Sequence, residues 1–280
     1  MRKRTIIQLL LSLSGIFIVV LLFRQPKFIV EDEKKATLND SPSQEKVDLN
    51  NTSHQSQIEE QDQRIIKSLT SKYLIENDLK KKSIFADSIA ELYRKSFVFD
   101  SSSKYFEVAV ALNPAADVLE KAALGVFEAF QNSGTANRRK ELGQKAIGFL
   151  DKILNSNSDR VDLKIKKAVV QVYTEPMPMN GINALKEIIS DNPSNVEARL
   201  YLGEFQFTVG KYDNAIEQFK AVNKLDPSEL KALLYLTECY LALGQKTKAE
   251  EYIIILKELE ITDPYIESVI SKFEKELKTL

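Results

Sequence analysis

Two stretches of the chain repeat one another at an offset of 34 residues, and this periodicity restricts the fold more than any other feature. Aligning Val196–Glu229 with Leu230–Asp263 places Leu202-Gly203 over Leu236-Thr237, Gly210 over Gly244, Ala215 over Ala249 and Val222 over Leu256. Pro193 and Pro227 recur at the same spacing. On either side of the glycine, apolar residues return every three or four positions, the period of a helix with one buried face. Glycine between them ends the first helix before the second begins, so each unit reads as helix, short turn, helix. Proline between units stops one helix and starts the next, and Ser194 with Glu197 is the expected capping box of one unit. A helix pair of this size cannot bury its apolar face alone. Neighbouring pairs must stack, and the expected fold is an all-α solenoid.

The pattern extends back to residue 83. Ser83–Ala116 supplies Ile89, Ala90, Tyr93, Phe106, Ala109 and Pro114, with Ser102 where later units carry Ala215 and Ala249. Residues 117–160 supply Leu124-Gly125, Ala146, Leu150 and Ile153; this unit is ten residues longer than 34, with the excess expected near Ser133–Leu142. Residues 161–195 supply Ala168, Leu185, Ile188 and Pro193, with Pro176-Met177-Pro178 connecting the two helices. The set resembles the tetratricopeptide repeat, whose consensus carries Leu-Gly and Tyr in the first helix, small and aromatic residues in the second, and a closing proline. The matches are Leu202, Gly203, Ala215, Phe219 and Pro227 in one unit and Leu236, Tyr240 and Ala249 in the next, and Gly210–Ala215 is close to the family's usual turn. The aromatic often found early in the first helix is missing, for Arg199 and Leu233 stand there. The resemblance spans residues 83–263, about five units of which two are degenerate. It implies a right-handed superhelical solenoid whose first helices line a concave, protein-binding face.

Carried onto this sequence, that face comprises Glu197, Leu200, Tyr201, Glu204, Phe207 and Thr208, then Lys231, Leu234, Tyr235, Glu238, Leu241 and Ala242, with Ile165, Lys166, Val169, Val172 and Tyr173 from the preceding unit. The candidate groove is therefore Tyr173, Leu200, Tyr201, Glu204, Phe207, Leu234, Tyr235, Glu238 and Leu241. Chaperone-binding members of the family grip an acidic C-terminus with Lys, Asn and Arg at such positions. Leu, Tyr and Glu stand here instead, so that clamp is absent, and the face suits an amphipathic helix or an extended apolar peptide. The same stripe also reads as packing between neighbouring helices.

The flanks and the remaining chemistry are consistent with a binding role. Ile58–Ile75 is amphipathic through Ile65, Ile66, Leu69 and Tyr73, and residues 58–82 are expected to cap one end. Residues 264–280 cap the other, with Ile266, Val269, Ile270, Phe273 and Leu277 on one stripe. The only histidine, His54, lies in a polar stretch that offers it no fixed neighbours, and Cys239 sits where a small buried side chain is expected. No glycine-rich phosphate loop occurs, and Glu217, Glu250 and Glu251 read as solvated helical surface. The chain is expected to be no enzyme and to hold no metal or cofactor. Its 39 basic and 40 acidic residues nearly cancel, which gives no basic surplus for nucleic acid.

Thr5–Phe23 runs for 19 residues without a charge, 14 of them Leu, Ile, Val or Phe. At about 1.5 Å per residue such a helix crosses roughly the thickness of a bilayer's hydrocarbon core. A cleaved signal would have a shorter apolar core and a small-x-small site, neither of which is present. Residues 1–4, with Arg2, Lys3 and Arg4, form a basic tail expected to stay in the cytoplasm, so that residues 5–23 anchor a single-pass protein in the lipid bilayer. Residues 24–57 are expected to form a polar linker, since Ala36, Leu38, Val47 and Leu49 are the only apolar residues from Glu31 to Gln57. In a bacterium with two membranes this places the repeats in the periplasm. There they would act as a scaffold for other proteins in envelope assembly, translocation or maturation. A cytosol-facing docking receptor and a self-associating homo-oligomer are the alternatives. Sequencing the N-terminus of the mature protein tests the anchor: retention of Thr5–Phe23 is expected, and a start between Ser14 and Phe28 contradicts it.

Overall fold

A computed structural model describes residues 58–174, 178–259 and 261–280. The expected basic tail, membrane anchor and linker, and Pro176-Met177 of the expected connection, lie outside the described residues. Among the described residues there are twelve α-helices and no strand. They are α1 (Glu60–Ile75), α2 (Leu79–Lys95), α3 (Phe99–Leu112), α4 (Ala116–Gln131), α5 (Ala136–Ser156) and α6 (Val161–Thr174). They continue as α7 (Met179–Asp191), α8 (Val196–Thr208), α9 (Tyr212–Leu225), α10 (Leu230–Ala242), α11 (Lys246–Glu258) and α12 (Pro264–Thr279). None of these is long and apolar enough to cross a membrane.

The helices pack in consecutive pairs, α2–α3, α4–α5, α6–α7, α8–α9 and α10–α11, and each pair stacks on the next to give a helical-repeat solenoid. Burial follows the sequence period. Ala90, Phe106, Ala146, Leu185, Phe219, Leu236 and Leu256 are all essentially inaccessible, and one core cluster runs from α4 to α8 while a second runs from α9 to α12. The 34-residue repeat is also visible across the stack. Lys121 of α4 reaches Asp87 of α2 at 2.7 Å, and Arg94 of α2 reaches Glu128 of α4 at 3.4 Å, each pair separated by 34 residues.

The turn inside each unit explains its glycine. Gly210 and Gly244 hold φ of +74° and +66°, where a side chain is disfavoured. Each closes its helix in the same way: the Lys211 amide donates to the Gln206 carbonyl at 2.8 Å and Gly210 to Phe207 at 2.9 Å, while Gln245 donates to Tyr240 at 2.8 Å and Gly244 to Leu241 at 2.9 Å. In the first pair Phe97 takes this place at φ +59°, with the Val98 amide donating to the Tyr93 carbonyl at 2.9 Å. A left-handed conformation costs an L-residue about 1–2 kcal/mol. That ring is 70% exposed and stands edge-on to Phe99.

Small residues set how closely paired helices approach. A Cβ on Gly203 would lie 2.7 Å from the Phe219 ring, and one on Gly181 of α7 would run into the Ala168 carbonyl of α6; between units, one on Gly125 of α4 would run into the Phe106 ring of α3. Thr237, which replaces glycine in the next unit, is buried and returns its hydroxyl to the Leu233 carbonyl at 2.9 Å. Ser102 stands in the alanine position of the first unit, fully buried, and its hydroxyl has no partner among the described residues.

Local boundaries differ from the sequence expectation in three places. The cap of α8 is Asn195, whose side chain accepts from the Ala198 amide at 2.8 Å, and not Ser194, which lies one residue too early to reach that amide. Helix α2 starts at Leu79 rather than near Ser83 because Asp78 caps it by accepting from the Lys81 amide at 2.9 Å; residues 58–82 thus hold α1 and the first turn of α2. The excess expected near Ser133–Leu142 is spread over both helices of the unit: Thr135 caps a helix that begins at Ala136, α5 has 21 residues against 14 in α3 and α9, and α4 has 16 against 13 in α8 and α10. Two substitutions in the helix pairs should move stability in opposite directions. Gly203→Ala, which overlaps the Phe219 ring, is expected to cost about 1–3 kcal/mol, whereas Ser102→Ala, which removes an unpaired buried hydroxyl, should gain about 1 kcal/mol. Urea unfolding followed by circular dichroism measures both.

Candidate functional site

The first helices of successive units, α4, α6, α8 and α10, are tied together by side chains that leave one helix and end on another. Lys166 of α6 meets Glu197 of α8 at 3.2 Å. Lys231 of α10 meets Glu204 of α8 at 2.8 Å, and the Tyr235 hydroxyl of α10 donates to the same Glu204 oxygen at 2.9 Å. Rings continue the seam: Phe130 of α4, Tyr173 of α6 and Phe205 of α8 stand edge to face, with centroids 6.0 and 5.2 Å apart. At the end of α4, Gln131 donates from Nε2 to the Tyr201 hydroxyl at 3.1 Å, reaching past α6 to α8. The four first helices therefore close around a cavity of about 180 Å³. Its lining is Phe130, Gln131, Arg139, Val169, Tyr173, Tyr201, Glu204 and Lys231.

The electrostatics of this cavity are uneven. Glu204 holds two partners on one oxygen, so its charge is compensated within the wall. Burial, reinforced by the Glu204 charge, raises the Tyr235 hydroxyl far above the ordinary tyrosine value, and burial raises Tyr201 and Tyr173 as well. These hydroxyls stay protonated across the physiological range. The Lys231 ammonium lies 5.3 Å from the Tyr201 ring centre and the Arg139 guanidinium 5.8 Å from that of Tyr173.

The nine expected groove residues divide into three groups. Tyr173, Tyr201 and Glu204 meet at the cavity. Phe207 and Tyr235 adjoin it but are committed to packing: Phe207 lies between the Tyr212 and Tyr235 rings, and Tyr235 stacks parallel on Phe219 at 4.9 Å. Leu200 and Leu234 are half-buried against the C-terminal core. Glu238 is half-buried, where burial raises its carboxyl while Lys272 and Glu276 of α12 act on it in opposite senses. Leu241 is only 4% exposed and joins the core with Ile270 and Phe273 of α12, so it is a packing residue and not a groove wall. Ile165 and Val169 are likewise buried. The sequence reading missed Phe130, Gln131 and Arg139, which lie where the second unit departs from the 34-residue register. The signal available was the Thr135 cap, which fixes the start of α5.

No reactive group adds chemistry to this face. Cys239 is buried and burial pushes its thiol up to about 12. Among the described residues no cluster of three His, Cys, Asp or Glu side chains has the arrangement of a metal site. The alkaline limb of stability reports the Tyr235–Glu204 bond. A tyrosine whose folded pKa is raised contributes stability below its ordinary value of 10.0, and that contribution falls away as pH rises above it. Tyr235→Phe should cost about 1–2 kcal/mol at neutral pH, through the lost bond to a charged acceptor. The variant should also lose stability less steeply above pH 10.0, as read from urea midpoints along an alkaline series.

Comparison with known proteins agrees with this architecture. Tetratricopeptide-repeat family models match residues 178–222 and 206–272. No curated protein sequence matches the chain. A tetratricopeptide repeat protein from Parabacteroides merdae superposes with a TM-score of 0.55 at 15% identity, covering 76% of this chain and 78% of its own. YrrB, described as a TPR protein with an unusual peptide-binding site, is 21% identical with a TM-score of 0.41 over 74% of this chain and 99% of its own. MamA from Desulfovibrio magneticus is 16% identical with a TM-score of 0.46 over 64% of this chain and 94% of its own. The Parabacteroides likeness carries the fold, and the two family models place tetratricopeptide repeats within residues 178–272.

Proposed function

We propose that the chain is a scaffold that binds another polypeptide on the face formed by its first helices, held at a membrane by Thr5–Phe23. The observation that carries this reading is the cavity between α4, α6, α8 and α10. It presents aromatic rings, protonated hydroxyls and charged groups from five helices at one place. Its volume, about 180 Å³, is below the roughly 300 Å³ at which pockets begin to hold small molecules or cofactors. One large side chain or a chain end fills it, which is how an anchor residue of a partner segment docks. The walls are less apolar than the sequence led us to expect, because Gln131, Arg139 and Lys231 join the tyrosines. A partner segment with a polar anchor thus suits the site better than a wholly apolar peptide.

The uncharged run at residues 5–23 and the basic residues ahead of it support an inner-membrane anchor with the repeats in the periplasm, where partners in envelope assembly, translocation or maturation would be met. The test is recovery of partners from solubilised membranes after cross-linking, with wild type and Tyr201→Ala side by side. Truncating an aromatic anchor typically costs about 2 kcal/mol or more, roughly thirtyfold in affinity. Tyr201→Ala should therefore lose the partner while its melting temperature falls by no more than a few degrees. Equal recovery with both proteins contradicts the proposed face.

A further inference from the structure

We infer that a second cavity, set between the third and fourth helix pairs, holds the hydrocarbon chain of an anionic amphiphile, with the charged head between the starts of α7 and α9. The amphiphile is a fatty acid or an acidic lipid that lends one acyl chain. This site is separate from the proposed protein-binding cavity, with which it shares only Tyr173.

The second cavity measures about 300 Å³, the size at which pockets begin to enclose small molecules. Val172 and Ile182 wall it from the third pair, and Leu202 and Phe205 from α8. Met179 and Val209 line it too, yet they remain 52% and 66% exposed. Large apolar side chains left in water beside apolar walls gain by burial against a hydrocarbon. A single side chain that fills the 180 Å³ cavity would leave this one partly empty, with contacts forfeited around the gap.

The charges select the head group. Lys186 of α7 and Lys211, which precedes α9, are the charged residues of the lining, and no carboxylate joins them among the described residues. Neither ammonium has an ion-pair partner there. Helices α7 and α9 both start at this cavity, at Pro178 and Lys211, and neither start has a side-chain cap. Their first amides and their dipoles add positive potential to that of the lysines. Asp213, in the first turn of α9, stands off the lining. A small hydrated anion has no use for the apolar walls, and a neutral hydrocarbon has none for the positive rim. An amphiphile with a negative head meets both.

The experiment places the full chain in phosphatidylcholine nanodiscs. It is irradiated with a diazirine-bearing dodecanoic acid, with the corresponding alcohol, or with a phosphatidylglycerol carrying the same chain. Labelled residues are mapped by mass spectrometry, and labelling is normalised to that of the nanodisc belt protein. The acid should label Met179, Ile182 or Val209 about tenfold more than the alcohol does. Lys186→Glu combined with Lys211→Glu should abolish that preference, and both positions are exposed, so the fold is kept. Unlabelled saturated acids, compared at equal free concentration, should compete about three- to fourfold better for each added methylene until the cavity is full and the gain stops. Equal labelling by the phosphatidylglycerol assigns the chain to a membrane lipid, and labelling by the acid alone assigns it to a free fatty acid. Label confined to the belt protein and Thr5–Phe23, or an acid that labels no better than the alcohol, overturns the inference. So does a benzoylphenylalanine at Val209 that captures a discrete polypeptide in cells while the acid leaves the cavity unlabelled. Tyr201→Ala, which tests the protein-binding face and lines only the first cavity, should leave labelling unchanged, so the two readings fail separately.

Discussion

How closely neighbouring helices can approach determines the rest of this structure. Gly203 faces the Phe219 ring within one unit and Gly125 faces the Phe106 ring across two, with no room for a Cβ, and the alanines at 90, 215 and 249 are buried completely. Close approach lets Phe106 and Phe219 be buried. It also fixes the height of a unit, and so the 34-residue spacing at which Lys121 finds Asp87 and Arg94 finds Glu128. Where the small residue changes, the neighbourhood adjusts: Thr237 satisfies its hydroxyl on its own helix, while Ser102 leaves one unpaired. The regular spacing in turn brings the first helices side by side, and only then can Gln131 reach Tyr201 across α6.

That proximity sets up a competition for the aromatic residues of the first helices. A ring there either fills the gap to the second helix or remains on the face. Tyr235 and Phe207 take the first course, Tyr235 stacked on Phe219 and Phe207 tilted against Tyr212. Tyr201 and Tyr173 take the second, and Tyr173 remains 47% exposed. Glu204 joins the two groups, for it holds the packed Tyr235 and Lys231 on one oxygen while lining the cavity itself. On the proposed binding face Glu204 therefore serves the packing of Tyr235 and the cavity wall together.

The fold was legible because its determinants are local and periodic. Gly210, Gly244, Ala215, Ala249 and the intervening prolines each act within a few residues of their own position, and the repeat makes their spacing visible. Tyr173, Tyr201 and Glu204 could be placed on the face by register alone. Leu241 could not, since its burial depends on α12 closing over the end of α10, a contact between segments with no shared pattern. Tyr235 was legible as a residue of the first helix but not as one already occupied by Phe219. Arg139 escaped because α5 is longer than its counterparts, and the register that locates a residue in one unit fails when the unit lengthens. Sequence period predicts which residues share a face; which of them are free on it is decided by packing across units.

The central claim is that partners meet the face of the first helices, at the cavity, and not the outer second helices. Site-specific photo-cross-linking in living cells tests it most directly, with a benzoylphenylalanine placed in turn at Tyr201, Tyr173, Glu217 and Glu250; the last two are exposed on α9 and α11. Discrete adducts to another polypeptide from positions 201 and 173, and none from 217 and 250, are expected. Adducts from 217 or 250 with none from 201 and 173 contradict the account.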